Sequence, residues 1–214
     1  MDEEQFVKAF IKALQTDAVM DILKQAVSDT LSLEIQELKD LLKEKDHTIK
    51  QLQKQVNGLE NKADGLEQYS RRNSLRIFGI KEKEFENPVD VALKIINDEM
   101  GLEMKTDSLD RVHRVGKKPT NGSSRSLLVK FTTYRDRDKV FRNRSRLKNA
   151  ETGRIYVNED LTRLRANLVY KARKLKREKK LDDCWTHDGQ VLIKDKHGRV
   201  KAVNSEADLT AIVA

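Results

Sequence analysis

The sequence predicts an α+β chain with three parts: an N-terminal parallel coiled coil, a βαββαβ middle domain and a small α+β C-terminal domain. Three observations predict it. Residues 31–66 carry an apolar heptad repeat, residues 74–157 alternate strand-like and helical patterns, and period and charge both change at Ser70/Arg71. The implied boundaries are 1–28 for a helical leader, 29–69 for the rod, 70–158 for the middle domain and 159–214 for the last.

In the leader, Phe6, Phe10, Leu14, Val19, Ile22 and Ala26 recur at mostly helical spacing, which predicts an amphipathic helix ahead of the rod. It either extends the bundle or binds a protein partner. In the rod, Ile35, Leu42, Ile49, Val56 and Ala63 fall at position a, and Leu38, Leu52, Leu59 and Leu66 at d. Lys45 is the one polar fault in the d column. At 1.5 Å per residue the repeat makes a rod of roughly 54 Å. β-branched residues at a with leucine at d favour two parallel strands, and a polar d residue can set stoichiometry instead, so dimer and trimer both stay open. All ten positions are expected to form the self-association surface.

Past Arg71 and Arg72 the sequence SLRIFGI alternates, with Leu75 and Ile77 on one face and Arg76 and Phe78 on the other. Asn87-Pro88 opens a helix that runs to Met100 and buries Val91, Ile95 and Ile96, and Gly101 closes it. Strands follow at 108–115 and 125–131, separated by the loop KPTNGSS; a helix follows at 134–148 and a strand at 154–157. This order is that of a ferredoxin-like sheet, the plan also used by RNA-recognition modules. A long helix capped by Asp160 runs to about Lys180 with Leu161, Leu164, Leu168, Ala172 and Leu175 as its apolar stripe. Short strands CWT, QVLIK and RVKAV come next, joined by turns at Asp188-Gly189 and His197-Gly198, with Trp185 as the expected core anchor. Ser205 and Asp208 form a capping box for a closing helix.

Charge narrows the function. Residues 1–70 hold 9 Lys/Arg and 14 Asp/Glu, a net −5; residues 71–214 hold 34 and 21, a net +13. A basic head behind an acidic rod suits a polyanion partner. Arg71, Arg72 and Arg76 lie at the junction. Arg135, Arg137, Arg142, Arg144 and Arg146 crowd the second helix, and Arg163, Arg165, Arg173 and Lys174 the long one. Aromatic residues are missing where such a sheet stacks bases: Arg76, Ser126 and Leu128 occupy those positions and only Phe131 is kept. Binding is therefore expected to rest on phosphate contacts and arginine stacking.

An enzyme is not expected. The sequence has no phosphate-binding Walker loop, nucleophile elbow or HExxH, and His47, His113, His187 and His197 lack metal-ligand spacing. Cys184 is the single cysteine, so neither an intrachain disulfide nor a CxxC site is available. No cofactor or metal is expected. The acidic start MDEEQF and the lack of a long apolar run argue against a signal peptide or membrane span, and point to an intracellular protein.

Taken together, the rod, SRRNSLRIFGI, the basic middle, YVNEDLT, ARKLKREKK and WTHDGQVLIKDKHGRV resemble the first-open-reading-frame proteins of non-LTR long interspersed retrotransposons. The C-terminal part is also similar to baculovirus FP proteins. The resemblance spans roughly residues 30–210. It implies an oligomeric protein that binds single-stranded RNA, with DNA as a second ligand, and acts as a nucleic-acid chaperone in a cytoplasmic ribonucleoprotein, with the nucleus as another location. It assigns nucleic-acid contacts to Lys130, to Arg165, and to Arg144 or Arg146. Vertebrate-type members are trimers. The alternative is an FP-like scaffold whose basic surface meets DNA or acidic protein incidentally.

Overall fold

A computed structural model describes residues 2–14, 16–118, 123–149 and 155–213, with only the backbone described at 148, 149 and 213. The chain forms two compact units, 1–61 and 62–214. It is α+β: a long N-terminal helix and two antiparallel sheets. No described helix is long and apolar enough to cross a membrane.

Helix α1 spans Glu3–Leu14, and helix α2 runs without a break from Asp17–Arg71. The leader thus ends at residue 14 rather than 28. From Asp17 to Val56 there is neither proline nor glycine, so nothing stops the helix once Asp17 has placed an acid in its first turn. The a and d side chains Ile35, Leu38, Leu42, Ile49, Leu52, Val56, Leu59 and Leu66 are all exposed in the single chain, as are Lys45 and Ala63.

In the second unit, β1 (Ser74–Phe78), β2 (Leu109–Val115), β3 (Ser126–Phe131) and β4 (Tyr156–Glu159) form a sheet in the order β2-β3-β1-β4, with every neighbour antiparallel. The alternation of SLRIF sends Leu75 and Ile77 inward beside Leu127, Val129 and Phe131 of β3. Helix α3 (Pro88–Lys94) and helix α4 (Tyr134–Arg142) cover that same face with Ala92 and Val140. Asn87 caps α3 by accepting from the Val89 N–H at 3.1 Å, and a π-helical turn, Ile95–Glu99, carries Ile95 and Ile96 into the core. Gly101 then takes φ 64°, a conformation that favours glycine. The helix expected to reach residue 148 gives way after Arg142 to a tighter 3-10 stretch, Asn143–Asn149. The last strand begins at Tyr156; Arg154, expected in it, and positions 119–122 of the expected loop lie outside the described residues.

Two arginines hold the loop between β1 and α3. Arg114 gives Nε to Glu86 at 2.7 Å and Nη1 to the Ile80 and Arg125 carbonyls, while Arg125 forks onto Glu82. The Arg125 guanidinium holds the Glu82 carboxyl at about 2, from an ordinary 4.5, and Arg114 lowers Glu86 in the same sense. A carboxylate depressed in the folded state contributes stability that is complete above its unfolded pKa and is lost as pH falls through the folded one. Glu82→Gln should therefore flatten the loss of stability between about pH 4.5 and 2 in acid unfolding titrations. An acid limb as steep as wild type would contradict this contact.

Helix α5 (Arg163–Arg177) begins a second core with Leu168, Val169 and Ala172. Thr162, not Asp160, caps it: the Thr162 hydroxyl accepts from the Arg165 N–H. Asp160 is buried and engaged elsewhere, and Leu164 points to solvent while Val169 takes its place inside. Strands β5 (Asp183–His187), β6 (Gln190–Lys194) and β7 (Val200–Val203) form a meander joined at Asp188 and Gly189, whose φ values of 49° and 76° match a two-residue hairpin turn. Trp185 is not the core anchor. In β5 it is Cys184 and Thr186 that turn toward the core, leaving Trp185 37% exposed. Ser205 and Asp208 do form a capping box for α6 (Glu206–Val213), exchanging bonds of 2.9 and 3.2 Å.

Candidate nucleic-acid interface

The four-stranded sheet has one face packed by α3 and α4 and one left open. Register fixes what the open face displays. His113, Leu128, Arg76 and Asn158 form one cross-strand row, Arg111 and Lys130 sit beside it, and Phe78 pairs with Tyr156 at the other end. Helix α5 lies alongside, leaving a groove of about 190 Å³ lined by Arg76, Phe78, Asn158, Leu161, Val169 and Arg173.

The basic residues expected to bind divide into three groups. Arg135, Arg163, Arg173 and Lys174 are exposed and, among the described residues, make no ion pair. Arg72, Arg144 and Arg142 are exposed but tied locally: Arg72 lies 3.7 Å over the Tyr69 ring, Arg144 3.9 Å over Phe141, and Arg142 pairs with Asp138 at 2.7 Å. Arg146 gives Nη1 to the Met100 carbonyl at 2.6 Å, and Lys130 pairs with Asp110 at 2.6 Å while staying accessible.

The remaining expected contacts are occupied inside the unit. Arg137 is only 3% exposed, paired with buried Glu159 and set over the rings of Phe141 and Tyr134, so it packs the core instead of meeting a phosphate. Glu159 lies 22 residues away in sequence, which is why a local charge count placed Arg137 on the surface. Arg71 and Arg76 both pair with Asp160, at 2.9 and 2.6 Å, and Arg71 also bridges to Glu67. Arg165 gives Nε to Asp64 at 2.7 Å and Nη1 to the Gly189 carbonyl at 3.0 Å.

These pairs belong to a clamp at the end of α2. Buried Gln68 donates to the Asp160 carbonyl and accepts from the Thr162 N–H, both at 3.0 Å, and Thr162 donates its hydroxyl to Asp64. A Cβ at Gly189 would fall 2.6 Å from Gln68, so only glycine permits this approach. A second groove, of about 290 Å³, opens here between Tyr69, Arg72, Tyr134, Arg165 and Gln190.

Phe131, counted on as a stacking residue, faces the core at 1% exposure; its register puts it in line with Leu127 and Val129. The open face instead carries Phe78 on β1 and Tyr156 on β4, the second on a strand that a motif placed on β1 and β3 passes over. The signal for Phe78 was present in the alternation of SLRIF. That for Tyr156 required knowing that β4 pairs with β1. No group of His, Cys, Asp and Glu among the described residues could hold a metal ion. Comparison with protein-family models and with curated proteins finds no match for this chain.

Proposed function

We propose that the protein binds single-stranded nucleic acid, RNA above all, as an oligomer assembled through a coiled coil of α2. The observation that carries this reading is the groove between the open sheet face and α5, with Arg76 in its floor and the unpaired Arg173 on its wall. A groove with one exposed, unpaired guanidinium on its wall suits a flexible single strand, whose backbone can follow it. The strand order β2-β3-β1-β4, with both helices on one face, supports an RNA-recognition-like plan for the middle domain. The exposed heptad stripe of α2 supports the coiled coil, because eight large apolar side chains at a and d would otherwise face water. The order of motifs supports kinship with retrotransposon first-open-reading-frame proteins. Several weakly binding basic heads on one rod would screen two strands from each other while each contact still exchanges, which is the physical basis of strand annealing.

Anisotropy of a labelled single-stranded RNA, beside duplex DNA of equal length over a salt series, tests the reading. Tight, steeply salt-dependent and RNA-favouring binding is expected. Weak binding that does not separate the two favours the FP-like scaffold. Within this assay Arg173→Ala should weaken binding to all sequences and reduce the log–log salt slope by roughly 0.7, the value for one phosphate contact on a single strand. An unchanged slope takes Arg173 out of the site.

A further inference from the structure

Beyond phosphate contacts, we propose that Phe78 and Tyr156 form a base-stacking site at the end of the open sheet face, with Asn158 available to a base edge. This rests on the single-stranded nucleic-acid reading and adds a second kind of contact to it.

Phe78 and Tyr156 are directly opposed across β1 and β4, so their side chains emerge on the same face about 5 Å apart at Cβ. They are 37% and 54% exposed in a chain with only 5% aromatic residues, while the other face of the same strands is closed by Ile77 and Val157. Two residues along, Arg76 and Asn158 form the next pair on that face. Asn158 is exposed, and its amide offers both donors and an acceptor, the equipment needed to meet the polar edge of a base. Phe78, Asn158 and Arg173 line one groove, so a ring, an amide and a guanidinium that makes no ion pair among the described residues border the same space.

Charge selects the occupant. Glu159, which follows Asn158 in β4 and also borders the groove, is buried and neutralised by Arg137. Asp160 is covered by two arginines. The groove therefore presents cationic and aromatic groups with no free carboxylate, a complement to an unpaired base on its phosphate rather than to an acid-poor peptide.

The test uses the full chain and two single-stranded oligonucleotides of equal length, one ordinary and one abasic over its central positions. The abasic strand keeps the phosphates and removes the rings. Wild type should prefer the base-bearing strand roughly tenfold, the scale of one or two stacked bases. In Phe78→Leu with Tyr156→Ser that preference should collapse toward one, while affinity for the abasic strand stays within a factor of two. Phe78→Tyr should keep it, and 2-aminopurine in the base-bearing strand should be quenched by wild type and not by the double variant. Equal binding of both strands by wild type overturns the stacking site and leaves the nucleic-acid reading intact, as does a preference that survives the double variant. Binding of neither strand removes that reading, and the stacking site with it.

Discussion

Leu52→Asp should reduce the protein to single chains by light-scattering mass and lower its affinity for single-stranded RNA by roughly a hundredfold or more. The argument begins with position. Leu52 is a d residue in the middle of the repeat, flanked by Ile49 and Val56 at a, and it is exposed in the single chain. In the proposed coiled coil a carboxylate there would be buried in every strand at once, beside its own copies, with no cation to pair it. The loss of affinity is indirect. Each basic head keeps its groove, but heads no longer share one rod, so the gain from effective concentration disappears while salt dependence per head persists. Circular dichroism should also fall, since a helix as polar as α2 frays when it has no partner. An oligomer mass retained by this variant would show that the heptad register is misassigned.

Arg137→Ala should cost about 3 to 5 kcal/mol of stability, the usual penalty for removing one partner of a buried ion pair. Both side chains are nearly inaccessible, at 3% and 2%, and Glu159 also accepts from the Gly189 N–H at 3.3 Å. Taking away the guanidinium leaves a carboxylate between two cores with only that amide to support it. For a unit of this size the melting temperature should drop by roughly 10 °C. Replacing both partners, Arg137→Leu with Glu159→Leu, should recover much of the loss, because an apolar pair of similar volume avoids the buried charge. The salt slope of nucleic-acid binding should be unchanged in whatever remains folded. A variant that melts like wild type but binds with a shallower slope would return Arg137 to the surface and reverse this assignment.

What could be read from the sequence was local. The alternation of SLRIF, the Asn87-Pro88 helix start, the Asp188-Gly189 turn and the Ser205–Asp208 box are each settled by residues within a few positions of one another, and each stands in the structure. What escaped the sequence was pairing at a distance. Asp160 looks like a cap because it precedes a helix; it is instead the acceptor for Arg71 and Arg76, 89 and 84 residues upstream. Arg137 looks like one more cation in a basic run until Glu159 is placed beneath it. Arg165 looks free until Asp64 arrives from the end of α2. Trp185 and Phe131 differ from expectation for another reason: a strand's period of two gives no indication of which phase is inside, so size chose wrongly for Trp185 and the aromatic motif chose wrongly for Phe131. Counting cations therefore overstated how many of them are available to a ligand.

The clamp at the end of α2 has a geometric corollary. Asp64, Gln68 and Arg71 are spaced by four and three residues, so they occupy one side of the helix, whereas Ala63 and Leu66 fall on another and stay open, Leu66 at 73%. Residues 63–71 thus have two faces with separate obligations, one bound to Asp160, Thr162 and Arg165, the other left open by its own chain. Substitutions can be sorted by angle around the helix axis: those at 64, 68 and 71 report on how the helix end is anchored, and those at 63 and 66 on what it meets from outside.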